Sequence, residues 1–404
     1  LSKVNSTYLL HELHRVADLP FETASDRLKA LEAFDSDLDE RSDSYHAQYN
    51  TPVNIARLIA ALADPQPGER IYDPCFGSAN LLIEAIRQSK GKHESPRRGN
   101  HQLDVAGMEI NEISFLVGLV RMLLAGIEAP CVELGNSLER EPSSSSSSQG
   151  FDLVVANPPI GAKVPRDAAG HKHFAFMTAD STGLFIQHAL SQLRRHGRAV
   201  IAVPEGFLFR GGAERELRRH LLEQGLVEAV IGLPAGAIAP YASVKGSLLV
   251  LSKQGGTSRV RMVDAAPMFE QRSGRKAPVI RAVIAQQLAD EIRRTVLRKP
   301  RELPAGVSEG TPGTDVLARS VWEVGMDDLA AADWDLSPRR REKGGLDELL
   351  ASLKDVLGET GSVVPLSSVA QVEGGRAIKS ADLVDEPPLE RGVGYVRIKD
   401  LTHG

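Results

Sequence analysis

The sequence predicts an α/β fold built on a doubly wound sheet. Three observations carry that expectation. Between about residues 45 and 265, short apolar runs rich in Val and Ile recur along the chain. Helix-length amphipathic stretches separate them, and several of those stretches close on Gly. The runs read as strands buried on both faces, which needs helices above and below the sheet.

The elements follow in order. Residues 1–44 carry apolar side chains at helical spacing in TYLLHELHRVADL and again in ASDRLKALEAF, which predicts a small N-terminal helical segment. The domain over 45–265 has candidate strands RIYD (70–73), VAGMEI (105–110), FDLVVA (151–156), RAVIAV (198–203), EAVIGL (228–233), SLLVLS (247–252) and RVRMVD (259–264). Candidate helices between them are SANLLIEAIRQ, NEISFLVGLVRMLLAG, GLFIQHALSQLRRHG and AERELRRHLLEQG. In such sheets the ligand site lies beyond the C-terminal ends of the strands. KGKHESPRRGNHQ (90–102) is a basic excursion, a solvated loop or a contact to a DNA backbone. EPSSSSSSQG (141–150) lacks the apolar surface to order itself and reads as a mobile spacer. Residues 266–345, with Arg and Pro clusters, are expected to wrap the α/β domain. A helix, LDELLASLKDVLG (346–358), then opens a C-terminal extension over 346–404 that is too short for a full domain.

Composition bounds the function. The chain has 404 residues, 42% apolar and 25% charged, as in an ordinary soluble protein of two or three domains. Its 48 Lys and Arg against 53 Asp and Glu give a net charge of −5, so a grip on nucleic acid must be local or shared with a partner. Two cysteines, Cys75 and Cys131, exclude a disulfide framework and a Cys-rich zinc site. No apolar run is long enough to span a membrane, and LSKVNSTYLLHELHRV lacks the core of a signal peptide. A cytoplasmic location is expected.

Three constellations carry chemistry. RIYD, PCFGSAN and LLIEAIRQ form a strand–turn–helix in which Gly77 permits a tight turn and Ser78 begins an uncluttered helix start. Asp73, at the strand end, can accept from an ammonium group. The phosphate-loop and G-x-G-x-x-G patterns are absent, which favours a ligand bearing both ammonium and carboxylate, such as the methionine part of S-adenosyl-L-methionine. Glu109, ending the next strand, can accept from ribose hydroxyls. Asn136 and Ser137 stand at a third strand end, where they can meet an adenine or simply make a turn. The decisive element is FDLVVANPPIG, a buried strand running into Asn157-Pro158-Pro159. Consecutive prolines lock the backbone and remove its donors. The Asn157 side-chain oxygen and the Pro158 carbonyl then form a rigid acceptor pair for a planar amino group, suited to in-line transfer.

Taken together, YNTP (49–52), DPCFGSANLL, GMEIN, NPPIG, LFIQHALSQL, GRAVIAVPEGFLFRGGAERELRRHLLEQGLVEAVIGLPAG and DWDLSPRR resemble the modification subunits of type I restriction–modification systems, which are adenine-N6 DNA methyltransferases. The resemblance covers roughly 45–340. It implies a class I S-adenosylmethionine-dependent methyltransferase sheet, a bacterial host, and a target base flipped out of double-stranded DNA. It also implies that Tyr49, Thr51 and Pro52 line the cofactor pocket, that Asp73, Gly77 and Ser78 hold the methionine moiety, and that Glu109 holds the ribose. Asn157, Pro158, Pro159 and the following Ile160 would receive the adenine. The tail, VVPLSSVAQVEGG through GYVRIKDL, resembles the opening of a target-recognition domain, which implies a specificity subunit or module as partner and a restriction subunit beyond it.

The chain departs from the family pattern at three places: Ile160 replaces the usual aromatic, Asn50 a common Tyr, and Ala79 a common Gly. Base stacking is worth ~1–3 kcal/mol, so Ile160 weakens base capture unless another ring, Phe174 or Phe176, substitutes. Ile160 also supports an alternative function: a catalytically weak, S-adenosylmethionine-binding subunit that scaffolds a DNA-defence complex. A glutamine-amide or guanine-amino methyltransferase would share Asn-Pro-Pro but not the long match over 198–340.

Overall fold

The computed structural model describes residues 23–41, 51–90, 103–127, 129–142, 150–162, 173–178, 180–238, 245–271, 277–296, 317 and 319–338. Tyr49 and Asn50, the Ser run at 143–148 with Gln149, most of the basic excursion, and the tail 346–404 with its expected helix lie outside the described residues.

Eight α-helices form among the described residues, and local chemistry marks several of their ends. α1 spans Ala24–Arg41, α2 Val53–Ala63, α3 Asn80–Lys90 and α4 Glu112–Leu124. α5 spans Ser181–Gln192, α6 Ala213–Glu223, α7 Ala282–Val296 and α8 Met326–Ala331. Asn111 caps α4 by accepting from the Ser114 N–H, and Asp180 caps α5 by accepting from the Thr182 N–H. α4 and α6 stop at Gly126 and Gly225, where φ is +83° and +63°. The next N–H groups, of Ile127 and Leu226, fold back onto the carbonyls of Met122 and Leu221, the left-handed ending that glycine allows.

All seven expected strands form, some with shifted ends. β1 is Arg70–Asp73, β2 Asp104–Glu109, β4 Phe151–Ala156, β5 Leu193–Pro204, β6 Val227–Gly232, β7 Gly246–Ser252 and β8 Arg259–Asp264. The helix expected to run to Gly197 instead stops at Gln192, and the chain passes straight into β5. β3 (Cys131–Leu134) completes one edge; its exposed, partly polar CVEL gives little apolar signal. A two-stranded ribbon, β9 (Phe269–Glu270) with β10 (Val279–Ile280), stands apart from the main sheet. β11 (Val321–Gly325) completes the other edge of the main sheet.

That sheet has nine strands in the order β11-β8-β6-β7-β5-β4-β1-β2-β3. β1 pairs in parallel with β2 and β4, and β4 with β5. β7 enters antiparallel between β5 and β6, and β11 runs antiparallel to β8, so the sheet is mixed. Side chains alternate between two cores. Ile71, Leu153 and Val155 face α2, α3 and α7 with Ile55, Leu58, Leu82 and Leu288. Tyr72, Val154 and Ile201 face α5 and α6 with Ile186, Leu217 and Leu221. Order reverses at β1 and β4, whose C-terminal ends therefore border an open crevice. Among the described residues no helix is long and apolar enough to cross a membrane.

Candidate active site

Asp73 ends β1 and is wholly buried. One oxygen accepts from the Cys75 N–H at 2.9 Å; the other, Oδ2, is buried without a partner. Burial, with the nearby Glu109 carboxylate adding to it, pushes the Asp73 pKa up to about 8. An unpaired buried carboxylate is unfavourable until a cation arrives.

The turn after Asp73 is anchored by Phe76, a buried ring wedged under α4. A Cβ on Gly118 would stand 2.5 Å from the Gly77 carbonyl and 2.7 Å from the Phe76 ring, so only glycine lets α4 approach this closely. Gly77 and Ala79 both take left-handed φ, +53° and +64°. The Arg121 guanidinium, buried on α4, donates to the Ser78 carbonyl, to Asn80 Oδ1 at 2.7 Å and to Asp35 on α1 at 2.7 Å. The Ser78 backbone is therefore held from behind. Arg121 was visible in sequence only as a lone cation within FLVGLVRMLLAG.

Glu109 ends β2, buried, and its two oxygens accept from the Gly77 N–H at 2.9 Å and the Asn111 N–H at 2.8 Å. Its immediate work is to tie the first turn to the second strand, and each oxygen keeps lone-pair capacity beyond that. Ile110 beside it is 71% exposed, an apolar face that periodicity had assigned to the strand. Asn136 caps a short turn, accepting from the Leu138 N–H at 3.2 Å and donating to Glu139 at 3.0 Å. Ser137 is buried behind it.

Asn157 follows β4, half-buried, with Pro158 buried and Pro159 exposed. Its Nδ2 donates to the Thr51 hydroxyl at 3.0 Å, and Asn80 donates to the Thr51 carbonyl at 2.7 Å. Thr51, whose neighbour Pro52 caps α2, therefore links the first turn to the Asn-Pro-Pro segment. That orientation leaves Asn157 Oδ1 buried and without a partner. The Cys75 sulfur lies against the Asn157 N–H while the Cys75 N–H serves Asp73 Oδ1, so Cys75 bridges the two residues that carry orphan oxygens. Burial between the carboxylates of Asp73 and Glu109 pushes the Cys75 thiol up, away from nucleophilic use.

Ile160 packs against the core. Phe176 is committed elsewhere: its ring meets His220 at 5.4 Å, and Gln187 holds its backbone from both sides. Phe174 packs beside Leu138, Leu184 and Phe185. Hydrogen bonds thus join Thr51, Asp73, Gly77, Ser78, Glu109 and Asn157 into one network through Cys75, Asn80 and Arg121, with Pro52 and Pro158–Ile160 beside it in the chain and Asn136 and Ser137 turned to a neighbouring cap.

S-adenosylmethionine, a sulfonium carrying an ammonium and a carboxylate, fits this donor set. Burial and the neighbouring Glu109 carboxylate raise Asp73, and its orphan oxygen asks for a cation.

The profile of the N-6 DNA methylase family matches residues 29–344. The EcoEI type I restriction enzyme methylase subunit of Escherichia coli is 24% identical over 89% of this chain and 72% of its own length. The StySPI methylase subunit of Salmonella potsdam is 31% identical over 51% of this chain and 40% of its own. Among solved structures, a chain of a type I R-M system matches with TM-score 0.63 and 27% identity, covering 84% of this chain and 70% of that one. The EcoKI M protein shares the fold at TM-score 0.56 and 23% identity, over 81% and 75% of the two chains.

Proposed function

This chain belongs to the N-6 DNA methylase family, and on that premise we propose that it transfers a methyl group from S-adenosylmethionine to the N6 amino group of adenine in DNA. It would do so as the modification component of a restriction–modification system, in a bacterial cytoplasm. The observation that carries this reading is the buried, unpartnered Oδ1 of Asn157, at a strand end stiffened by two prolines and joined through Cys75 to Asp73, which carries an orphan oxygen of its own.

Bound S-adenosylmethionine supplies an electrophilic methyl group. Asp73 receives the cofactor's ammonium group, and the Gly77–Ser78 turn, pinned by Arg121 and Glu109, holds its carboxylate end. Asn157 Oδ1 and the Pro158 carbonyl accept the two hydrogens of the adenine amino group. Those hydrogen bonds draw the nitrogen lone pair out of conjugation with the ring and aim it, so the protein contributes positioning and electrostatics. The scaffolding alternative rests on Ile160 alone, whereas the acceptor atom of Asn157 is intact.

The net charge of −5 supports a division of labour in which a specificity subunit or module supplies most of the DNA affinity and the base-edge reading. A restriction subunit would complete the assembly.

Asn157→Ala is expected to lower methyl transfer to adenine-containing DNA at least a hundredfold, in the presence of a complete specificity module. Calorimetry should find S-adenosylmethionine affinity within a few-fold of wild type. Parallel loss of both would place the acceptor elsewhere.

A further inference from the structure

The segment that follows β5 is held more firmly than a connecting loop requires. It makes a tight turn over Glu205–Leu208 and continues through Phe209, Arg210 and two glycines into α6. The Arg218 guanidinium, 1% exposed, donates to the carbonyls of Phe207 at 2.7 Å, Arg210 at 2.8 Å and Trp334 at 2.9 Å. Burial lowers the pKa of Arg218, the signature of a cation taken out of water. Arg210 lies over Gly206, where a Cβ would come within 2.9 Å of its Nε, and reaches the Asp180 carboxylate at 3.1 Å. The Leu336 N–H donates to the Leu208 carbonyl at 2.9 Å.

Between these tethers Phe209 stands 49% exposed, although its neighbours Phe207 and Leu208 are buried. The tethers fix the backbone on both sides of this ring, so a flat partner that meets it would find it already placed. Gly211, just beyond, has no left-handed φ, and nothing among the described residues lies within 4 Å of where a Cβ would stand. It leaves the backbone open to close approach by an outside molecule.

The loop also leaves the sheet at the reacting end. β4 and β5 run parallel with Ala156 opposite Ile201, so the residues after each emerge on the same side. The Ser181 hydroxyl donates to the Pro159 carbonyl at 3.3 Å, and the adjacent Asp180 holds Arg210. One pair of residues thus connects Asn-Pro-Pro to the Phe209 loop.

We propose that Phe209 is the ring that stacks on the base delivered to Asn157, the role that Ile160, packed into the core, does not offer. The proposal rests on the methyltransferase reading above and names the nucleobase as its ligand, since every base presents a π face. Stacking of this kind is worth ~1–3 kcal/mol per base, about 5- to 150-fold in affinity.

The test uses the full chain together with a complete specificity module, saturating S-adenosylmethionine and a mixed-sequence single strand carrying one 2-aminopurine. A single strand needs neither flipping nor groove reading. Wild type and Phe209→Tyr should bind it and quench its fluorescence. Phe209→Leu should bind about tenfold or more weakly with the quench lost. Calorimetric uptake of S-adenosylmethionine should be equal in all three, showing each folded with its cofactor pocket whole. Unchanged binding and quench in Phe209→Leu would overturn the proposal, as would equal losses in Phe209→Tyr and Phe209→Leu. So would a wild type that takes up cofactor but leaves the oligonucleotide bright and free. A wild type that takes up no S-adenosylmethionine would instead overturn the methyltransferase reading itself.

Discussion

Ala79 holds φ +64° at the point where the chain turns from β1 into α3, and it is wholly buried. A left-handed L-residue costs about 1–2 kcal/mol. Replacing it with glycine relieves that strain but restores ~0.5–1 kcal/mol of chain entropy and gives up a buried methyl of ~0.8 kcal/mol. The three terms nearly cancel, so Ala79→Gly should unfold in urea within about 1 kcal/mol of wild type. Ala79→Val, which cannot take this φ without clash, should lose more than ~2 kcal/mol. Size alone, the property legible in sequence, misses that the position is set by backbone angle. Asp73 shows the same limit. Its place at the strand end was readable, but its environment was not: burial lifts the pKa to about 8, so the folded state binds a proton more tightly than the unfolded chain. Stability is therefore drained as pH rises from about 4 toward 8. Asp73→Asn should melt higher than wild type at pH 8, by a margin that shrinks toward pH 5, and should lose S-adenosylmethionine binding. In wild type, cofactor affinity should climb between pH 6 and 8 as the bound cation displaces that proton.

At the scale of elements, motifs that join a strand to a turn were legible, because apolar runs and Gly or Pro punctuation are local. Contacts between elements were not. His188 on α5 packs under β1, its Nε2 3.2 Å from the Tyr72 hydroxyl, and nothing local in QHAL marks it as buried. Burial, with Arg140 adding to it, lowers its pKa to about 3, so it is neutral in the fold and charges readily when unfolded. Its contribution is whole above about pH 6.5 and is lost as pH falls toward 3. His188→Gln, which keeps a partner for Tyr72, should flatten the acid limb of a pH-dependent melting series. Arg218 on α6 reads in sequence as one more surface cation in ERELRRHLLE, yet it serves three carbonyls from two distant segments. Arg218→Met should lower stability by about 3 kcal/mol, because buried carbonyls would be left without donors. Lysine, lacking the planar fork, should recover only part of that in chemical denaturation.

Across the whole molecule, the fold class and seven strands were visible from periodicity, while the two edge strands were too short or too polar to register. What no periodicity reveals is the order in which strands lie side by side. β6 is made before β7 yet reaches β5 only through it. On the ribosome, then, a chain that has emerged as far as Gly232 carries a finished crevice on one flank and, on the other, β5 with an unpaired edge along seven registers from Arg198 to Pro204. Such an edge invites pairing with another nascent chain. Synthesis halted at Gly232 should yield insoluble product, and synthesis carried through Asp264 should restore solubility by closing the gap. Slower translation across residues 233–252, which prolongs that exposure, should therefore lower soluble yield.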